Sequence, residues 1–183
     1  ESQDENDNIK EDIEDYYLYR KLWLRYKKKL NRSDYYYLKI QYNKKDYQES
    51  DSYNSISYDL WGNYSFKLNE SIKNKVMINY RDKEYTSNYD NTYNQLKLKY
   101  ELDCKVNDNN DCSFYVQRQW KDYIIDDSGD NIYDRLSFSW DWEVNENLEI
   151  NSNLQLDNTS FKPVAESTDK EGRKFDIGFK WSL

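Results

Sequence analysis

Histidine is missing from this chain of 183 residues, and cysteine (2), glycine (4), proline (1) and methionine (1) are scarce. Without an imidazole there is no His-based catalytic triad, haem ligation or histidine zinc site, and two cysteines cannot supply the four thiolates of an all-cysteine zinc site. Neither a metal nor another cofactor is expected, and no paired base and nucleophile stands out, so the chain is read as a non-enzyme. No run of 18 apolar residues exists, which excludes a transmembrane helix. A transmembrane strand needs only about ten residues with apolar side chains at alternate positions, so a membrane location remains open. A net charge of -8 argues against nucleic acid as a general partner, because neutralising phosphates needs a net basic face.

What the chain has in abundance is aromatic and charged residues. A mean hydropathy of -1.25 would suggest disorder, but 20 tyrosines, 6 tryptophans and 6 phenylalanines are not the composition of an unfolded chain. The order behind it is a repeat. LWLRYKKKLN from Leu22, LWGNYSFKLN from Leu60, LKYELDCKVN from Leu98 and LSFSWDWEVN from Leu136 align without gaps at a step of 38 residues, and the closing Asn31, Asn69, Asn107 and Asn145 keep that step. A fifth copy, FDIGFKWSL from Phe175, arrives one residue late. Within each copy apolar residues recur at every second position, the period of a β-strand. The pattern predicts nine strands paired as hairpins over residues 15–183, preceded by an acidic flexible arm over residues 1–14.

The connections alternate in length. Those at Asn31, Asn69 and Asn145 are tight, and those over 48–52, 84–92, 124–131 and 158–172 are longer and polar. Short turns thus gather at one end of the strands and long loops at the other, as in outer-membrane barrels. Folding the third hairpin about Asp108 sets Cys104 opposite Cys112, Leu102 opposite Phe114 and Tyr100 opposite Val116, so a cross-strand disulfide between Cys104 and Cys112 is expected, in an oxidising compartment. Two free thiols are the plainer alternative.

On the apolar parity, aliphatic residues occupy the strand middles and rings the ends. Tyr42, Tyr80 and Trp120, with Tyr47, Tyr85 and Tyr123 just beyond, are expected to form an aromatic girdle at a lipid headgroup boundary. A water-soluble sheet that uses tyrosine as a strand former is the bland alternative. The other parity is charged and amidic: Lys21, Arg25, Lys39, Gln41, Asp59, Lys67, Lys75, Asn79, Arg81, Lys97, Lys99, Glu101, Gln117, Gln119, Arg135, Asp141, Glu143, Asn153, Gln155, Lys174, Asp176 and Lys180. It holds about 15 basic and about 8 acidic residues, whereas residues 1–15 hold eight acids against Lys10. A basic pore lining biases an aqueous path toward anions. The alternative is a closed interior of mutually paired charges, and the acidic arm is expected to fold back on the basic face as a plug or gate.

Alternating hairpins, asparagine turns, tyrosine-rich strand ends and the terminal FDIGFKWSL resemble bacterial outer-membrane β-barrels. Within that group the repeat is similar to β-barrel porins and to the C-terminal barrel of surface-lipoprotein assembly modifiers. The resemblance implies an antiparallel up-and-down transmembrane barrel in a Gram-negative outer membrane. It also implies lipid as a partner and a last strand read by the barrel-assembly machinery through Phe175, Ile177, Phe179, Trp181 and Leu183, the last standing where phenylalanine or tryptophan is usual. The expected function is a pore or translocation conduit; a closed barrel that binds or sheathes a protein partner is the second reading. Nine strands are odd for a single-chain bacterial barrel. Either more strands come from a larger barrel or a partner chain, or residues 15–30 form a periplasmic helix.

Overall fold

The computed structural model describes residues 17–47, 51–125, 129–161 and 170–181. The arm over residues 1–14, the terminal Leu183 and parts of three long connections lie outside the described residues. Nine strands follow one another: β1 (Tyr17–Lys29), β2 (Tyr35–Tyr47), β3 (Ser55–Lys67), β4 (Ile72–Tyr85), β5 (Tyr93–Asn107), β6 (Asn110–Tyr123), β7 (Asn131–Asn145), β8 (Leu148–Phe161) and β9 (Lys170–Trp181). They form one antiparallel sheet in the order β1 to β9, each strand hydrogen-bonded to its neighbours in sequence. Residues 17–29 are strand, so the periplasmic-helix alternative falls. The described residues do not close into a barrel: the sheet stands open, with β1 and β9 as its edges. Both edge strands start at the long-connection end, so they run in the same direction, and joining them directly would need a parallel pair.

The recurring asparagine builds the short turns. Asn31 Oδ1 accepts the backbone N–H groups of Ser33 (2.9 Å) and Asp34 (2.7 Å), and Asn69 Oδ1 those of Ser71 (2.9 Å) and Ile72 (2.8 Å). Asn107 and Asn145 accept from Asn109 and Asn147, both at 2.9 Å. These are Asx turns, in which a short carbonyl side chain imitates a backbone turn and tightens the hairpin. Each turn also hooks the next hairpin, since Lys105 donates to the Ser71 carbonyl and Glu143 to the Asn109 carbonyl, both at 2.8 Å. In the first hairpin the Asp34 carboxylate takes over that role and accepts the Lys67 N–H at 3.0 Å.

The long connections have a repeated latch of their own. Tyr47 N–H donates to Asn54 Oδ1 (2.5 Å), Tyr85 N–H to Thr92 Oγ1 (3.1 Å) and Tyr123 N–H to Asp130 Oδ1 (2.5 Å). Three different side chains thus perform one task, 38 residues apart. Successive connections are linked as well, by Thr86 N–H to the Asn54 carbonyl (2.9 Å) and Ile124 N–H to the Thr92 carbonyl (3.0 Å).

A line of direct pairing advances by 36 residues from one odd-numbered strand to the next and by 40 from one even-numbered strand to the next, against a repeat of 38. Leu24 lies opposite Ile40, Ile40 opposite Leu60, and the line continues through Tyr80, Leu96 and Trp120 to Ile132. Equivalent positions of the repeat therefore slip by two residues per hairpin. At about 3.3 Å per residue and about 4.8 Å between strands, that slip tilts the strands by roughly 35°, the lower end of the range found in barrels.

Two outcomes follow for the turns. Asn69→Ala removes an acceptor from two backbone donors and is expected to cost about 1 kcal/mol in a urea titration, while Asn69→Asp, which keeps the acceptor, costs less. The Asp34 carboxyl is held below its ordinary value by the Lys67 backbone N–H and then by the Asn31 side chain. Its contribution is complete above the unfolded carboxylate value near pH 4 and is lost as pH falls through the lowered one. Amide exchange at Lys67 should accelerate only in that acidic range.

Candidate pore-lining face

The ladders decide which side chains share a face, because directly opposed residues of an antiparallel pair point the same way. Following the register from β1 to β9 sets Lys21, Arg25, Lys39, Gln41, Asp59, Lys67, Lys75, Asn79, Arg81, Lys97, Lys99, Glu101, Gln117, Gln119, Arg135, Asp141, Glu143, Asn153, Gln155, Lys174, Asp176 and Lys180 on one continuous face. With strand ends now known, that face carries 19 lysines and arginines against nine carboxylates, a larger excess than the sequence count.

The partition of residues is inverted relative to a water-soluble domain. No apolar side chain among the described residues is buried, while Gln41, Asn43, Ser55, Asp59, Ser65 and Gln117 of the polar face are. Leu24 is 72% exposed and Ile40 57%, whereas Asp59 is 1% exposed. Among the described residues no second layer covers the sheet, so the polar side chains bury one another, the packing expected of the concave side of a curled sheet.

Their contacts form cross-strand networks. Asp59 on β3 is held by Arg81 Nε of β4 (2.5 Å) and by Asn43 Nδ2 of β2 (2.8 Å), and Asn43 Oδ1 in turn accepts from Gln41 (2.6 Å) and from the Tyr19 hydroxyl (2.7 Å). Glu101 bridges Lys75, at 3.0 Å, and Lys99. Arg135 grips Asp157 with two bonds (2.8 and 3.1 Å), supported by Gln155 Nε2 at 2.8 Å and the Tyr133 hydroxyl at 3.1 Å. Ser137 and Ser139 hydroxyls donate to Asn153 Oδ1, and Lys180 reaches Glu149 at 3.1 Å.

Between these networks lies a recess of about 290 Å³ bordered by Tyr37, Lys39, Trp61, Asn63, Met77, Asn79, Lys97 and Lys99. Its floor holds Trp61 and Met77, large apolar residues on a polar face. Its rim is cationic: Lys39 stands 4.5 Å over the Trp61 ring, Lys99 lies 4.2 Å over the Tyr115 ring, and Lys97 has Arg81, Lys99 and Arg135 as its charged neighbours. No carboxylate borders the recess. The parity pattern put its lysines on this face, but the role of Trp61 needed the register.

Two expectations are corrected. Tyr47, Tyr85 and Tyr123 belong to the polar face, not to a lipid-facing girdle. Each takes a lysine two residues earlier against its ring: Lys45 at 6.0 Å, Lys83 at 4.3 Å and Lys121 at 4.3 Å. Parity decides this, since these tyrosines lie an odd number of residues from Tyr42, Tyr80 and Trp120. Cys104 and Cys112 are directly opposed as expected, yet the structure has them as free thiols. The two-residue turn and the Asn107 acceptor set this register without a covalent bond.

On the apolar face, Tyr42, Tyr58, Tyr80 and Trp120 stand toward the long connections and Tyr26, Tyr36, Tyr64, Trp140, Trp142 and Trp181 toward the short turns. Between them lie Leu22, Leu24, Leu38, Ile40, Leu60, Val76, Ile78, Leu98, Leu136, Phe138, Leu154, Leu156, Phe175 and Ile177, interrupted by the Arg118–Asp134 ion pair at 2.7 Å, while Phe179 shares the same face. From Tyr58 to Phe66 is roughly 27 Å along the strand, or roughly 22 Å along an axis tilted by about 35°. No protein-family model matches the chain, and no curated protein matches it.

Arg81→Gln leaves the Asp59 carboxylate buried without its cation and is expected to destabilise the fold by about 3 kcal/mol. Pairing it with Asp59→Asn should recover most of the loss, as a double-mutant cycle in urea would show.

Proposed function

We propose that the chain forms the wall of an outer-membrane β-barrel that acts, without catalysis, as a pore or translocation conduit with a basic lumen. The observation that carries this reading is the inverted partition: an uncovered aliphatic band between two aromatic girdles on one face, and charges packed against one another on the other. In water such an apolar surface, far beyond the few hundred Å² that soluble monomers expose, is an aggregation hazard. In lipid it is the outer wall, and the backbone groups that lipid cannot solvate are satisfied by the ladders. The roughly 22 Å between girdles is close to the ~25 Å apolar band of outer-membrane barrels.

The lumen then holds the polar face, and its cationic excess favours anions. The recess at Trp61, with Lys39, Lys97 and Lys99 on its rim, is where an anionic solute with an apolar or ring portion would pause. Phe175, Ile177, Phe179 and Trp181 present the alternating apolar signal to the assembly machinery. A second reading has support in the directly opposed pairs Arg81–Asp59 and Arg135–Asp157, which cross the face as they would in a filled interior that meets a protein partner instead of a solute.

Two measurements decide between lipid and water, then between open and filled. Ile40→Arg is expected to cost about 2–4 kcal/mol in a lipid-facing position near the midplane, whereas on an exposed position of a water-soluble sheet it would cost little; unchanged stability in urea refutes the membrane reading. In planar bilayers the protein should conduct with anion preference, and Lys39→Gln/Lys97→Gln/Lys99→Gln should reduce that preference. A folded, inserted and silent protein transfers the argument to the closed barrel.

A further inference from the structure

Charge on the polar face is unevenly distributed. Its nine carboxylates all stand on β3 to β9, whereas β1 and β2 contribute Lys21, Arg25, Lys27, Lys29, Lys39 and Lys45 and no acid. On β3 to β9 part of the cationic charge is matched locally. Asp59 and Arg81, Lys75 and Glu101, Arg135 and Asp157, and Glu149 and Lys180 are directly opposed across a ladder and in ion-pair contact. On this face of β1 and β2, among the described residues, rings attend the cations: Lys27 lies 4.3 Å over Tyr35, Lys39 4.5 Å over Trp61 and Lys45 4.5 Å over Tyr17. Bringing β9 alongside β1 would not supply the missing acid, because β9 presents Lys170, Lys174 and Lys180 against Asp176 alone.

The counter-charge is in the chain itself. Residues 1–15 carry eight carboxylates and one lysine and join the sheet at the start of β1. Fully extended they reach roughly 50 Å, against roughly 43 Å for the length of β1, so they can run back along the whole strand. We propose that residues 1–15 dock on the cationic strip of β1 and β2 as a tethered acidic ligand, which competes with anionic solutes at Lys39. The competition rests on the conduit reading; the docking does not. Tethering makes the encounter intramolecular, at an effective concentration in the millimolar range. Its electrostatic attraction weakens as the Debye length falls from about 10 Å at 0.1 M salt to about 3 Å at 1 M.

The test uses the full chain folded in detergent or lipid, with Cys104→Ser and Cys112→Ser, and spin labels on Ser2→Cys in the arm and Arg32→Cys in the first turn. Docking predicts a short, narrow distance between the labels at low salt. That population is lost at about 1 M salt, in Lys21→Glu/Arg25→Glu/Lys39→Glu, and in a variant whose eight arm carboxylates are replaced by amides. The amide variant alters no strand residue, so it keeps the proposal falsifiable if the charge-reversed protein fails to fold. A distance distribution that is the same in the amide variant overturns docking, and so does a short distance seen only between singly labelled chains that have been mixed, which would make a second copy the occupant. Bilayer conductance separates the two ideas: a salt-sensitive short distance in a silent protein keeps docking and removes the conduit, whereas a conducting protein with salt-insensitive distances does the reverse.

Discussion

The two-residue slip between the repeat period and the pairing step is the constraint on which the rest of this sheet depends. Backbone hydrogen bonding lines up positions 36 residues apart on β1, β3, β5 and β7 and 40 apart on β2, β4 and β6, while equivalent side chains recur every 38. Because the slip is even, tilting the strands never moves an apolar residue to the polar face. Because it is the same in every hairpin, the asparagine turns stay at one height and the connection latches at another. The late fifth copy obeys the same rule: its one-residue delay is matched by a one-residue change of pairing between β8 and β9, so Phe175, Ile177 and Trp181 remain on the apolar side.

Low mean hydropathy follows from this geometry. A sheet with no covering layer spends one side chain in two on each environment, and here the sequestered environment is the polar one. Burying Asp59 and Asn43 is tolerable because each is tied to partners on neighbouring strands. Such networks stiffen the wall, since moving one strand breaks bonds to two others. The cationic surplus concentrates where networks are absent, around the Trp61 recess and along β1 and β2. Rigid paired regions and unpaired basic regions therefore alternate across one surface.

Much of the fold was legible in the chain before its structure. Strand number, hairpin pairing, the shared face of the polar residues and the register of Cys104 with Cys112 all follow from periodicity two and a fixed repeat. What escaped depends on contacts between hairpins or on the kind of atom, not the kind of residue. The slip needs the pairing of β2 with β3 and of β4 with β5, which alternation alone does not specify. The latch formed by Asn54, Thr92 and Asp130 was invisible because three residue types share only a side-chain oxygen acceptor at the same offset. Tyr47, Tyr85 and Tyr123 sit near strand ends, where rings suit a headgroup boundary, but their odd spacing from Tyr42, Tyr80 and Trp120 puts them on the polar face. The odd strand count already shows that nine strands cannot close as an antiparallel ring, but what adjoins β1 and β9 is not written in the period.

The latches and turn hooks have a genetic consequence. Each of the first three 38-residue units brings its own turn, its own connection acceptor and a hook for the unit that follows, the Asp34 carboxylate in the first and a backbone carbonyl in the next two, so its boundary conditions can be supplied by another such copy. Duplicating or deleting one unit within a gene adds or removes two strands and one increment of stagger together, which leaves tilt and wall height unchanged. Width is thereby uncoupled from strand length, and a lineage built on this module can widen or narrow its sheet in single recombination events while strand length and tilt stay the same.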